Sequence, residues 1–219
     1  MTKLSFISLH PDFINSYLTI GIFNRASEQQ LAFYETLSLR DYGVGNHGSV
    51  DSRPYGGGDG MVLRPEPLTE ALKACVGDRE SHIIYTSPAG KKFEHKDAVR
   101  LSKLPKDIVF ICGRFAGVDQ RFLDQHVDEQ FSLGSFVVSG GELPCLLIAD
   151  ALLRQVPGVL GNQVSAEQDS FADGLEGMIE FPLYSRPEVF EGIKVPDELL
   201  SGNHEQIKKW RKLFMKKPE

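Results

Sequence analysis

The chain has 219 residues, of which 41% are hydrophobic and 25% charged. These proportions support a folded core and exclude bulk disorder. The net charge of −6 excludes a basic coat over the whole surface, yet the last 16 residues carry six Lys/Arg against two Glu, so positive charge for a polyanion is concentrated at the C-terminus.

The apolar run Leu4 to Leu9 predicts a first strand, stopped by His10-Pro11. Leu31 to Leu39 alternates apolar and polar residues like a second strand. Arg40 to Gly60 is rich in Gly, Asp and Ser and predicts a long loop, which inside a compact domain is usually functional. Pro67 to Cys75 predicts a helix, His82 to Thr86 a strand, and Glu94 to Leu104 a helix. Asp107 to Cys112 reads as a strand buried on both faces. Asp119 to His126 follows as a helix, then short strands at Glu129 to Leu133 and Phe136 to Val138, then a helix over Glu142 to Gln155 closed by Pro157-Gly158. Strands alternating with helices predict an α/β fold with a mostly parallel sheet. The polar, glycine-rich stretch that follows predicts a linker over 161–177, between a domain at 1–160 and a small helical domain at 178–219. In the latter, Asn203 to Met215 predicts a helix, with Asn203 and Gln206 spaced as a cap pair. Ile207, Trp210 and Phe214 share one face, and Lys208, Lys209, Arg211 and Lys212 surround it.

Three scattered cysteines, Cys75, Cys112 and Cys145, fit a reducing compartment and offer no disulfide framework. No zinc-type ligand spacing is present, and no metal site is expected from the residues. No secretory cleavage pattern opens the chain and no apolar run is long enough to span a bilayer, so a cytoplasmic protein without membrane contact is expected.

Gly43 to Gly48 matches G-x-G-x-x-G, but Ser49-Val50-Asp51-Ser52-Arg53-Pro54 follows instead of a helix, so a dinucleotide loop is rejected. Arg53 to Gly60 holds four glycines in five residues, which lets backbone approach a ligand or forms a plain hinge. Ser139-Gly140-Gly141-Glu142 has capping-box spacing, and its glycines would bare N–H groups at a helix start. Ser87 to Gly90 and Gly113 to Gly117 each follow a predicted strand, and loops at strand C-termini are where α/β sheets bind ligands. Taken alone, Asp169 is a turn residue and Arg154 a favourable charge at a helix C-terminus.

Val50-Asp51, Arg53 to Gly58, Tyr85-Thr86-Ser87-Pro88, Cys112-Gly113-Arg114, Val138 to Pro144, Pro157 to Gly161, Asp169-Ser170-Phe171, Arg186-Pro187-Glu188 and Leu200 to His204 occur in one order along the chain. In this order they resemble the bacterial tRNA (guanine-N1)-methyltransferases of the TrmD type, within the SPOUT methyltransferases. The resemblance implies a SPOUT sheet with a deep C-terminal trefoil knot, a device that composition alone would never suggest. It implies S-adenosylmethionine held bent in the knot by Tyr85, Thr86, Ser87, Pro88, Gly90, Gly113, Leu133, Gly134, Ser135, Phe136, Val137, Val138, Gly140, Gly141 and Pro144. It implies Asp169 as the base that takes the N1 proton of guanine, and Arg154 as the donor that steadies charge on O6. The substrate that the resemblance implies is tRNA, methylated on the guanosine 3′ of the anticodon. Asp51 and Ser165 would help hold the base, and Lys208, Lys209 and Arg211 would grip phosphates. A homodimer with active sites at the subunit interface is implied as well. The family brings in Mg²⁺, for which the sequence shows no dedicated oxygen cage.

The chain departs from the family pattern at several places. Ala116 stands where glutamate is usual and Ser135 where aspartate is usual, and Phe115 and Phe136 replace tyrosines. The C-terminus is short after Trp210-Arg211. These departures keep two alternatives open: a SPOUT-fold RNA-binding protein impaired in catalysis, and a methyltransferase acting on another RNA base.

Overall fold

The protein is described by a computed structural model covering residues 2–161 and 169–218. The chain divides into two compact units, Met1–Val159 and Leu160–Glu219. The first unit runs β1 (Thr2–Ser8), α1 (Pro11–Leu18), α2 (Gly21–Glu28), β2 (Ala32–Ser38), β3 (Asp51–Ser52), β4 (Val62–Leu63), α3 (Pro65–Val76), β5 (Ser81–Lys92), α4 (His95–Ser102), β6 (Asp107–Ile111), α5 (Gln120–His126), β7 (Glu129–Ser132) and α6 (Glu142–Leu153).

Five strands form one parallel sheet in the order β2-β1-β6-β5-β7. Strands β1 and β6 lie inside it, which is why both are buried on both faces. Phe6 and Phe110 are in register, fully buried, and stack with ring centroids 5.0 Å apart. Their face of the sheet, with Ile84 and Phe131, packs on Ile14 of α1, Phe23 of α2, Leu101 of α4 and Leu152 of α6. The opposite face, with Ile7, Ile83 and Ile111, packs on Leu68 and Leu72 of α3 and Phe122 of α5. The α/β class with a mostly parallel sheet is therefore the observed architecture.

The differences from the sequence expectations have local causes. Residues 11–30 carry no predicted element but hold α1 and α2. Each helix has only eight residues, too short for periodicity to declare itself, and is held by pairs such as Ile14/Leu18 and Phe23/Ala26. Strand β5 continues six residues past Thr86, because Thr86 and Lys91 both pair with Phe131 and Ser87 to Gly90 bulge between them. A proline inside a strand is tolerated there, since the bulge needs no ladder donor from Pro88. The predicted strand at Phe136 to Val138 is absent. These residues are exposed coil without ladder pairing. The G-x-G-x-x-G stretch is a small turn closed by the antiparallel bridge Val44–Ser49, in line with its rejection as a dinucleotide loop.

In the second unit, β8 (Val189–Phe190) and β9 (Ile193–Lys194) form a two-residue hairpin, followed by α7 (Asp197–Leu200) and α8 (His204–Phe214). The Asn203 side chain caps α8 by accepting from the Glu205 and Gln206 N–H groups, while the Asn203 N–H donates to Ser201 Oγ rather than to Gln206. Trp210 is buried against Phe214, Tyr184 and Phe181, with ring centroids 4.5, 6.1 and 6.4 Å away. The Arg211 guanidinium lies over the Phe181 ring, and Lys208, Lys209 and Arg211 are solvent-exposed.

A charge network braces the free edge of the sheet. Lys91 pairs with Asp97 and Glu129, Arg100 reaches the same two carboxylates, and His82 Nε2 lies 2.7 Å from Glu129 Oε1. Burial pushes both carboxyls up, but the hydrogen bonds from Lys91 and its charged neighbours outweigh this and hold both below the ordinary carboxylate value. Such groups stabilise the fold above their unfolded pKa of about 4 and lose that contribution as pH falls through the lower folded value. The denaturation midpoint in urea is expected to fall as pH is lowered from about 5 to about 3. Asp97→Asn should cost about 1–3 kcal/mol at neutral pH and flatten that acid dependence.

Candidate active site

Strands β5, β6 and β7 end side by side, and the chain beyond each end helps wall a cleft of about 250 Å³. The bulge of β5 contributes Tyr85, Thr86, Ser87 and Pro88. The loop after β6 contributes Gly113 to Gly117. The chain from β7 into α6 contributes Phe131 to Gly134, Phe136 to Gly141 and Pro144.

Close backbone approach shapes this cleft. The Gly141 N–H donates to the Gly113 carbonyl at 2.7 Å, and a Cβ on Gly141 would lie 2.6 Å from Gly113 N. A Cβ on Gly113 would lie 2.8 Å from the Tyr85 ring. The Tyr85 side chain lies against Gly113 and Gly117, and burial pushes the hydroxyl's pKa up, so it acts here as a neutral prop under the loop after β6. That loop also pairs with the β4 hairpin, through Ala116 N–H to Met61 O at 2.8 Å and Leu63 N–H to Gly117 O at 2.9 Å. Among the described residues the only charged side chain on the lining is Arg114, and it is paired. Its Nε lies 3.1 Å from Glu142 Oε2, and its Nη1 donates to Ser139 O at 3.1 Å. What remains toward a ligand is backbone amide and carbonyl groups, hydroxyls, and the exposed apolar side chains Phe115, Phe136, Val137 and Val138. This surface suits a flat heteroaromatic ligand with polar edges.

The capping-box expectation is corrected. Gly141 itself occupies the cap position of α6 with no side-chain cap, and its N–H is used by Gly113 rather than bared to a ligand. Glu142 is buried because it pairs with Arg114 and accepts from Ser8 Oγ at 2.7 Å. Thirteen of the predicted cofactor residues lie on the lining: Tyr85, Thr86, Ser87, Pro88, Gly113, Leu133, Gly134, Phe136, Val137, Val138, Gly140, Gly141 and Pro144. Gly90 lies off it, because it packs against the Gln130–Phe131 backbone at a spacing that forbids a side chain. Ser135 is exposed and also off the lining. Phe131 and Ser132 line the cleft and were not expected, since the end of a strand carries no motif that marks it. Ala116 lies on the wall, and among the described residues the lining holds no carboxylate.

Arg154 caps the C-terminus of α6, where its charge counteracts the rise that burial imposes on the Asp150 carboxyl. Asp169 belongs to the second unit, where its carbonyl accepts from Ala172 N–H at 3.1 Å. Asp51 is half-buried in β3, opposite Leu63 of β4. Ser165 lies outside the described residues. No cluster of three or more His, Cys, Asp or Glu side chains able to hold a metal occurs among the described residues. Cys112 and Cys145 lie buried below the cleft, and burial pushes the Cys112 thiol well up, which makes it unreactive.

A sequence model of the family described as tRNA (Guanine-1)-methyltransferase TrmD matches residues 2–217. The chain belongs to this family. It is 44% identical over 209 residues to a tRNA (guanine-N(1)-)-methyltransferase of Staphylococcus aureus strain JH9, covering 95% of this chain and 84% of that protein. It is 42% identical over 223 residues to the protein of the same name from Staphylococcus carnosus strain TM300, covering 99% of this chain and 89% of that one. Within this TrmD-family chain, Gly141 is one of the positions at which neighbouring backbone leaves no room for a side chain. Gly141→Ala is expected to lower stability by about 1–3 kcal/mol and to open the contact with Gly113, read by thermal unfolding and by faster exchange of the Gly141 amide.

Proposed function

We propose that this protein transfers a methyl group from S-adenosylmethionine to N1 of the tRNA guanosine 3′ of the anticodon. The observation that carries the reading is the cleft itself: thirteen residues that the resemblance assigns to the cofactor lie on one lining, in a chain matched to the family from residue 2 to residue 217. The residues present fit the cofactor. Glycines 113, 140 and 141 let the walls of the cleft close up on one another, because a Cβ at any of them would collide with neighbouring protein atoms, and the lining supplies amides, carbonyls and apolar faces for an adenosyl group. When bound, S-adenosylmethionine supplies an electrophilic sulfonium methyl group.

The chain's own residues do the rest of the chemistry. N1 of guanine carries a proton and is a poor nucleophile until that proton leaves. The Asp169 carboxylate takes it, and the negative charge that develops on O6 is met by the fork of donors on Arg154. The loop segments hold the two reactants in line, which supplies much of the remaining rate. Asp51 and Ser165 help hold the extruded base. Lys208, Lys209 and Arg211 on the exposed side of α8 contact phosphates, a salt-sensitive term. No step is assigned to Mg²⁺.

In this reading residues 1–160 form the knotted SPOUT domain, 161–177 the linker and 178–219 the tRNA-binding domain. The tight passage of α6 past the loop after β6 supports the knot. A homodimer is favoured by exposed apolar side chains on two adjoining helices, Phe13, Tyr17 and Ile20 at α1 and Leu143 and Leu147 on α6. With no helix among the described residues long and apolar enough to cross a membrane, the site of action is read as the cytoplasm. A second reading, an RNA-binding protein impaired in catalysis, is favoured by one observation: among the described residues the lining has Ala116 and no carboxylate for the cofactor's ammonium group.

Methyl-labelled S-adenosylmethionine with unmodified tRNA tests the reading. Label is expected on tRNA with guanine 3′ of the anticodon and not on a matched tRNA with adenine there. Asp169→Ala is expected to lower kcat by about 10²–10⁴. Full activity in that variant would remove Asp169 from the mechanism. Absence of label with either tRNA, from folded protein, would favour the second reading.

A further inference from the structure

We infer that Glu142, acting with Arg114 and Ser8, is a positioning residue for the cleft: a buried charge pair that holds its walls from behind. The inference rests on the reading that the cleft holds S-adenosylmethionine.

Glu142 is 2% exposed and does not line the cleft. A carboxylate is costly to bury unless it is paired and hydrogen-bonded, so its retention at the start of a core helix needs a reason. Its partners come from three other parts of the chain. Ser8 Oγ, at the end of β1, donates to Oε1 at 2.7 Å. Arg114 Nε, from the loop after β6, donates to Oε1 at 3.2 Å and lies 3.1 Å from Oε2. Arg114 Nη1 in turn donates to Ser139 O, in the segment that enters α6. Two walls of the cleft, Gly113 to Gly117 and Ser139 to Gly141, are thereby tied to each other and to the end of β1.

The pair also explains why the wall is glycine at residue 140. A Cβ there would lie 2.5 Å from Glu142 Oε2 and would also collide with Arg114 Nε, so the ion pair fills the space behind Gly140. Oε2 is buried and makes no well-directed hydrogen bond of its own. It is held by the charge of Arg114 and by the N-terminal end of α6. Remove the charge on Glu142 and Arg114 loses the group that keeps it at the back of the wall. It is then free to turn into the cleft, and the Ser139 anchor is released with it.

The test is a double-mutant cycle in the full-length protein. Affinity for S-adenosylmethionine is measured by calorimetry for the unaltered chain, Glu142→Gln, Arg114→Gln, the double variant and Ser8→Ala, each with a thermal melt. Each single change in the pair is expected to weaken binding about tenfold, and the double variant by clearly less than the product of the two. Ser8→Ala is expected to weaken it by about threefold, as it removes one hydrogen bond and keeps the charges. In Glu142→Gln the loss should appear in KM for S-adenosylmethionine, with kcat at saturation largely kept. A merely structural role would instead lower kcat with the folded fraction and leave KM unmoved, and that result overturns the inference. So does unaltered affinity in Glu142→Gln, or a strictly multiplicative cycle. Should Glu142→Gln fail to fold, Ser8→Ala decides: unaltered affinity there overturns it. An unaltered chain that binds no S-adenosylmethionine overturns the proposed function, and this inference falls with it.

Discussion

The backbone of Gly141 lies directly against that of Gly113, and the rest of the site depends on that contact. It joins the end of a central strand to the start of α6 through a 2.7 Å hydrogen bond, at a separation that leaves no room for a side chain on Gly141, while the Tyr85 ring leaves none on Gly113. The parallel sheet makes the contact available. β5, β6 and β7 all deliver their chains to the same edge, and α6 then returns across the buried face next to β1 and β6. The cleft is what remains between segments that meet this closely.

Charge in this unit is placed behind the cleft and not in it. Among the described residues Arg114 is the one charged side chain on the lining, and it is committed to Glu142 and Ser139 O. The bulge that brings Ser87 and Pro88 to the lining is likewise braced from outside, since Lys91, directly after it, is held by Asp97 and Glu129. Both devices spend charged groups on geometry and present a neutral surface to the ligand. Ala116 belongs to the same picture, because it keeps the described lining free of carboxylates.

The second unit works by the opposite arrangement. Trp210 and its aromatic neighbours form a small internal cluster, and the basic side chains of α8 are left in solvent. Charge is exposed there, whereas the cleft presents shape and backbone polarity.

The sequence alone determined the element types of the first unit wherever burial imposes a simple pattern. The run Ile108 to Cys112 is apolar throughout because it is covered on both faces, and that is visible without coordinates. The order of short glycine-containing segments was likewise enough to name the family and to collect thirteen of the cleft residues. Helices α1 and α2 were not legible, since two turns of helix show too few periods and their stability comes from packing. Nor could spacing tell Glu142 as a capping partner from Glu142 as a buried ionic anchor, because Ser8 and Arg114 lie 134 and 28 residues away in the chain. Gly90 shows the same limit: among glycines of similar appearance, only the approach of the β7 backbone makes it a packing residue and not a ligand-facing one. Local pattern decides what a segment can become. Which polar group meets which, across long separations, is decided only when the sheet brings them together.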